Sequence, residues 1–569
     1  MKVRRFYICS VVFALLLSVG IYPQSGGKTS VPPRLQEKLD YVKDSSDCTL
    51  EYVDQLEAEL AGLYPADDYV FFRTNLRKGW LHIVSDDYEK GFACLDAAKN
   101  ILVKQTRYDD ADAVDMEVYY GYTYFYLGYA DEGLEHYKNA IKIEEKLYGA
   151  LSVEVANTYN ALAFWYYDTA DYDNALSYYS MTLDIRKKLL GEEHPDIAST
   201  CNAIGNIHHA VGNYDEAIAC YQKAIAIYSA SYGADNAESI VVYQNCAGSC
   251  KAKADYDNAM EYYSKSLDIQ KKLYGEEHPD TAVIYNNIGT VYYDIGNYDE
   301  SIACFQKAIA IDKALYGEDN AESVTLYKNC GDSYKEKADY VNALEYYSKV
   351  LSIQKKVYGE EHPATAASYD SMGEVCFADG DYDKALEYQI KALAINRKVL
   401  GEENLTTASS YNNVGSDYYA KADYDNALNC YGMVLDIRRM VLGEEHPDTA
   451  TSYNNIGVVY DAKGDYDKAL ENHGRALDIR KKLFGEEHPD TATSYNNIGL
   501  VYHHKGDYEK ALEYYGKVLD IERKVVGEEH PATAATYDNI GGVYLDKGDR
   551  DKALDYRLRA LDIRKKNAW

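Results

Sequence analysis

"GEEHPDTATSYNNIG" occupies Gly443–Gly457 and recurs letter for letter at Gly485–Gly499, forty-two positions on. Sliding the whole sequence by that interval aligns a loop glycine at 149, 191, 233, 275, 317, 359, 401, 443, 485 and 527, without insertion or deletion. Ten residues after each glycine comes an aromatic: Tyr159, Tyr243, Tyr285, Tyr327, Tyr369, Tyr411, Tyr453, Tyr495 and Tyr537, with Cys201 as the exception. Two earlier units keep the frame in faded form, one through Tyr124, Gly133, Tyr137 and Ala140, the other through Gly79, Tyr88, Gly91 and Leu95. The chain therefore reads as about twelve repeats, two degenerate ones over 71–148 and ten of 42 residues over 149–569. "NYDEAIACYQKAIAI" at 213–227 and "NYDESIACFQKAIAI" at 297–311 show a longer period as well, as if units were duplicated in pairs.

Inside one unit the apolar spacing is helical twice over. Tyr453, Ile456, Gly457 and Tyr460 mark one stripe; Ala469, Leu470, His473, Ala476, Leu477 and Ile479 mark another, with "KGDY" turning between them. Gly457, Ala469 and Ala476 are small where two helices must cross closely, and Tyr453, Tyr460 and Tyr466 fill what they leave open. One hairpin cannot bury both stripes, so hairpins must stack, each completing its neighbour's core. Identical words recur because identical interfaces recur.

These slots resemble the tetratricopeptide repeat, with His473 in a position where other units have Tyr179, Tyr263, Tyr347 and Tyr515. Units of 42 residues, with "GEEHPDTA" ahead of a helix carrying "NN", resemble the kinesin light chain type of that repeat over residues 72–569. The resemblance implies an all-α, right-handed α-α superhelix, a tetratricopeptide solenoid of about 12 stacked helix hairpins. It does not extend to that family's motor-binding coiled coil, because residues 31–70 hold no sustained heptads. Leu50, Val53, Leu56, Leu60 and Leu63 instead suggest a helical cap over 31–70.

Ahead of that cap, Lys2, Arg4 and Arg5 precede the apolar run Phe6–Gly20, which reads as a signal peptide or an uncleaved anchor over 1–24. The expected location is outside the cell or in the cell envelope. Eleven cysteines sit awkwardly with export: either the receiving compartment is not strongly oxidising, or the apolar N-terminus is not an export signal. Cys201, Cys246, Cys250, Cys330 and Cys376 fall on stripe positions, so burial as small apolar residues is their expected role.

Charge and motif limit the functional classes. A formal net charge of −32 repels nucleic acid and anionic membranes and favours neutral or basic partners. His194, His278, His362, His446, His488 and His530 share one loop slot. Slots two helices apart lie roughly 16 to 20 Å from one another, and zinc ligands must lie within about 4 Å, given bonds near 2 Å, so we expect no metal and no cofactor. There is no G-x-x-x-x-G-K-[ST], G-x-S-x-G or H-E-x-x-H, and we expect no enzymatic activity.

What remains is the inner face of the stack. The resemblance implies that first-helix residues two beyond the aromatic slot face the concave groove; here these are Asn245, Asn287, Asn329, Asn413, Asn455, Asn497 and Asn539. A row of amides suits the backbone of an extended peptide segment. The competing reading is that these amides bond within the helix pair to fix the packing of adjacent units. The carboxylate clamp of chaperone-binding relatives is not expected, since the neighbouring slots hold Asn286, Asn412, Asn454 and Asn496, with Lys328 the one cation. Asp294, Asp332, Glu374, Asp370 and Asp538 lie near the same face and disfavour acidic ligands. At the chain's end, Leu554, Leu561 and Ile563 are expected to stay partly uncovered, a surface for self-association. Two functions follow as expectations: a protein-binding scaffold, or a structural, self-assembling spacer.

Overall fold

The computed structural model describes residues 53–55, 68–85, 87–104, 110–318 and 320–567. Among them are 24 α-helices and one short 3-10 turn, Ala321–Ser323, and no strand. The chain forms two compact units whose boundary, between Val291 and Tyr292, falls inside helix Pro279–Ile295. The first unit contains five hairpins: Asp68–Val84 with Tyr88–Lys104, Ala111–Tyr126 with Ala130–Tyr148, Val153–Asp168 with Tyr172–Leu190, Pro195–Ala210 with Tyr214–Tyr232, and Ala237–Ala252 with Tyr256–Tyr274. The second contains helix Tyr298–Tyr316 and six hairpins: Val324–Glu336 with Tyr340–Tyr358, Pro363–Ala378 with Tyr382–Leu400, Leu405–Ala420 with Tyr424–Leu442, Pro447–Lys463 with Tyr466–Phe484, Pro489–His504 with Tyr508–Val525, and Pro531–Asp546 with Arg550–Asn567. Within the first unit the second helices of the first four hairpins also pack on the next first helix, and within the second unit Tyr298–Tyr316 and the second helices of the first five hairpins do so. The expected all-α array of stacked hairpins is thus the architecture found. The expected leader and nearly all of the expected cap lie outside the described residues; inside the cap span, helical Val53 is fully buried.

Most of the first half of the repeated word helps to close one hairpin onto the next. Gly443 ends a helix at φ +94°, ψ 165°, and Gly485 ends the following second helix at φ +88°, ψ 175°. That region is open almost only to glycine. His446 Nδ1 then accepts the Asp448 N–H at 3.1 Å, capping a helix whose first residue is Pro447. The same cap recurs at His194, His278, His362, His488 and His530, which gives the loop histidines a structural use. Thr449 Oγ1 donates to the Gly443 carbonyl at 2.8 Å. Tyr453 OH and Arg439 Nε both donate to Glu444, at 2.6 and 2.5 Å, and hold its carboxyl below the usual range. Glu445 pairs with Lys482, as Glu487 does with Lys524 at 2.5 Å and Glu529 with Lys566 at 2.9 Å.

Gly485→Ala isolates the backbone contribution, because nothing lies within 4 Å of an added Cβ. The expected result is a loss of about 2 kcal/mol from strain alone, seen as a lower urea midpoint with unchanged helical content. An unchanged midpoint would mean that the loop adopts another conformation.

The chain has 61 tyrosines against ten phenylalanines and three tryptophans, and one recurrent use of them is packing. A Cβ on Gly457 would stand 2.8 Å from the His473 ring, and one on Gly205 would stand 2.6 Å from Tyr221, so small residues on first helices admit rings from second helices. Tyr137, Tyr221, Tyr347 and Tyr515 fill that slot with essentially no exposure. His473 fills it as a neutral ring, burial and then Arg480 pushing its pKa down to about 4. Cys201, Cys246, Cys250, Cys330 and Cys376 are buried free thiols, as their stripe positions require. One expectation fails at the last hairpin. Leu554 and Leu561 are 60% and 45% exposed, but Ile563 is 5% exposed, because it turns inward against Tyr537, Val543 and Ala560.

Candidate functional site

Asn245, Asn287, Asn329, Asn413, Asn455, Asn497 and Asn539 are all half-buried on first helices, and the second unit brings four of them into a continuous ladder. Asn455 Nδ2 donates to Asn412 Oδ1 at 3.1 Å, Asn497 to Asn454 at 2.6 Å, and Asn539 to Asn496 at 3.0 Å. Asn413 bonds the side chain of Asp370, which stands where the other junctions have an asparagine acceptor. In the first unit Asn245 makes the same bond to Asn202 at 3.0 Å. Each rung joins one repeat to the repeat before it.

Sequence reasoning misses the rung acceptors Asn202, Asn412, Asn454 and Asn496 as functional residues, although for the last three the signal is the "NN" doublet itself. Successive helical residues diverge by about 100°, so one amide of the doublet reaches back to the preceding repeat and the other receives from the following one. A rung consumes one N–H of the donor amide. Asparagine carries two donors and a two-lone-pair acceptor, so the Asn455 and Asn539 amides keep a second N–H and a carbonyl oxygen for other use.

The charges beside the ladder are largely matched. Asp332 lies 2.8 Å from Lys328 Nζ and accepts from Tyr347 OH, Glu374 lies 3.3 Å from Lys335, and Asp538 pairs with Arg564. Lys328 is thus not a free cation, and the acidic field expected on this face is weaker than the residue types imply. Tyrosines flank the first helices in cationic pairs: Lys517 Nζ sits 4.7 Å from the Tyr514 ring centre and 5.6 Å from that of Tyr495, and Lys349 sits 4.8 Å from Tyr346. Among the described residues no three His, Cys, Asp or Glu side chains are grouped so that they could hold a metal.

A helix hairpin with small-to-aromatic crossings, repeated every 42 residues, is matched by the tetratricopeptide repeat model in ten overlapping stretches running from 112–188 to 490–566. The chain belongs to the tetratricopeptide repeat family. Solved tetratricopeptide-like structures similar to parts of it include BtubC (BKLC) from P. vanneervenii, at 25% identity over 40% of this chain and 92% of that one, with a TM-score of 0.36. A Podosopora anserina putative kinesin light chain with nearly identical TPR-like repeats is 25% identical over 35% of this chain and 95% of that one, with a TM-score of 0.33. The apo form of RapI is 16% identical over 65% of this chain and 98% of that one, with a TM-score of 0.44. No curated protein matches the chain. Membership of the family makes the chain a protein-interaction scaffold in the coarse sense.

Proposed function

We propose that the protein is a non-enzymatic scaffold that holds extended, neutral or basic segments of other proteins along its asparagine face. The observation that carries this reading is the set of half-buried amides whose rung bonds use only part of their capacity. An extended peptide offers alternating N–H and C=O groups, and the remaining amide N–H and oxygen match both. Changing Asn413, Asn455 and Asn497 together to Ala is expected to abolish retention of proteins captured by the wild-type chain, while circular dichroism stays unchanged. Loss of the rungs also costs stability, about 1 kcal/mol each, so retention is compared well below the variant's melting point. Retention equal to wild type would move the site elsewhere.

A second reading has its own observation. The amides bond one repeat to the next, as a spacer without a peptide ligand would need to fix its register. Under that reading the triple variant melts earlier and loses no partner. Export is a further part of the proposal, resting on the basic and then apolar stretch Lys2–Gly20; fractionation that finds the full-length chain in the cytosol would refute it.

A further inference from the structure

The second unit repeats one polar scheme at successive hairpin junctions. Arg438 Nη1 donates to the Asp448 carbonyl at 3.1 Å and to Ser452 Oγ at 3.0 Å, Asn455 completes a rung, and Val459 is fully buried. Arg480, Asn497 and Val501 do the same one repeat later. The junction between hairpin 363–400 and hairpin 405–442 keeps two of these bonds, Asn396 Nδ2 to Ser410 Oγ at 2.9 Å and Asn413 to Asp370, but changes the residues that make them. Asn396 stands in the arginine slot, Asp417 in the valine slot and Asp370 in the rung-acceptor slot, and Gln389 replaces the ring inside the earlier hairpin. Asn396, Asp417 and Gln389 are only 2%, 2% and 3% exposed. Asp370 Oδ1, Gln389 Oε1, Asn396 Oδ1 and Asp417 Oδ2 are buried and have no hydrogen-bond partner. Acceptors deprived of water and of a donor weaken the packing that buries them.

We propose that this junction is the seam at which the second unit first opens, and that ionisation of Asp370 and Asp417 opens it. Asp417 faces Cys376 from the preceding first helix and Tyr431 from its own second helix, and Lys421 lies at the end of its own helix. Asp370 meets Glu374 on its own helix, the Asn413 side chain from the next hairpin, and Gln389, which donates to the Asp370 backbone carbonyl at 3.2 Å. Glu374 in turn reaches Lys335 of the previous hairpin. The one cation near Asp417 is Lys421, itself paired with Asp383. Burial pushes both carboxyls up to about 7, reinforced at Asp370 by the Glu374 charge and opposed only by the Asn413 bond there and by Lys421 at Asp417.

In the open state both acids return to the ordinary value of 3.8. A raised carboxyl favours the closed state fully below pH 3.8, and that preference is lost as pH climbs towards 7. Each acid should therefore raise the opening constant roughly ten- to a hundred-fold between pH 5 and pH 7.5. Hydrogen exchange on the full chain at those two pH values, normalised to intrinsic rates, tests this. The expected result is a selective loss of protection in 363–378 and 405–420 at pH 7.5, with 489–504 unchanged, and its disappearance in Asp370→Asn/Asp417→Val. If the double variant does not fold, Asp417→Asn alone should remove about half of the logarithmic response. A uniform response along the unit, or a seam response that survives either variant, overturns the proposal.

Discussion

Changing Ala170, Ala254, Ala338 and Ala422 together to glycine is expected to stabilise the protein by about 4 kcal/mol in total. All four residues sit in the left-handed region, at φ +61°, +60°, +59° and +57°. Each closes the turn between the two helices of a hairpin: the Ala338 N–H donates to the Lys335 carbonyl and the Asp339 N–H to the Tyr334 carbonyl, both at 2.9 Å. Equivalent positions in other repeats are Gly212, Gly296, Gly380, Gly464, Gly506 and Gly548. An L-residue with a Cβ pays roughly 1–2 kcal/mol there, and glycine returns about half of that through the greater freedom of its unfolded chain. The net gain is about 1 kcal/mol at each site, two sites per unit. Repeat arrays do not unfold as one two-state block, so the measurement is native-state exchange followed separately in 153–274 and 324–442. Faster exchange in either stretch would show that the alanine turns carry no strain.

How much of this was legible beforehand depends on whether a contact repeats with the sequence frame. The loop glycines, the small residues at 457, 469 and 476 and the aromatic slot could be placed because an unbroken 42-residue period puts equal residues in equal surroundings. The four alanines occupy the same frame as exceptions in a glycine column, and their strain becomes evident only from the backbone angles. The ladder was not, because its partners lie 43 residues apart and the one-residue offset belongs to the geometry of neighbouring helices rather than to the period. Asn412, Asn454 and Asn496 were consequently read as clamp positions lacking their cations, when they are the acceptors of the rungs. Ile563 was misplaced for a related reason: a terminal helix keeps the stripe of its siblings, and only packing tells which part of that stripe its own hairpin still covers.

The polar slot near the end of each second helix shows how a regular frame tolerates irregular chemistry. It presents a side chain to a hydroxyl fourteen residues on: Arg186 to Thr200 at 2.8 Å, Arg438 to Ser452 at 3.0 Å, Arg480 to Ser494 at 2.9 Å. In the first unit the slot also holds Glu144, which accepts from Thr158 Oγ1 at 2.9 Å through one oxygen, while Oε2 is buried without a partner. Glu144 is 2% exposed, and burial, only partly offset by the Thr158 bond, pushes its carboxyl up to about 8 from an ordinary 4.5. The folded first unit therefore holds this proton when the unfolded chain has lost it. Its contribution to stability is full below pH 4.5 and falls away as pH rises to 8. Glu144→Gln keeps an acceptor for Thr158 and removes the charge, so it should stabilise the first unit by about 3 to 4 kcal/mol at pH 7.5 and leave it nearly unchanged at pH 4. Chemical denaturation monitored by exchange in 130–168 at the two pH values separates the cases: a gain that does not depend on pH would assign the effect to packing, and a loss at pH 7.5 would mean that Glu144 is ionised and paired in the folded protein.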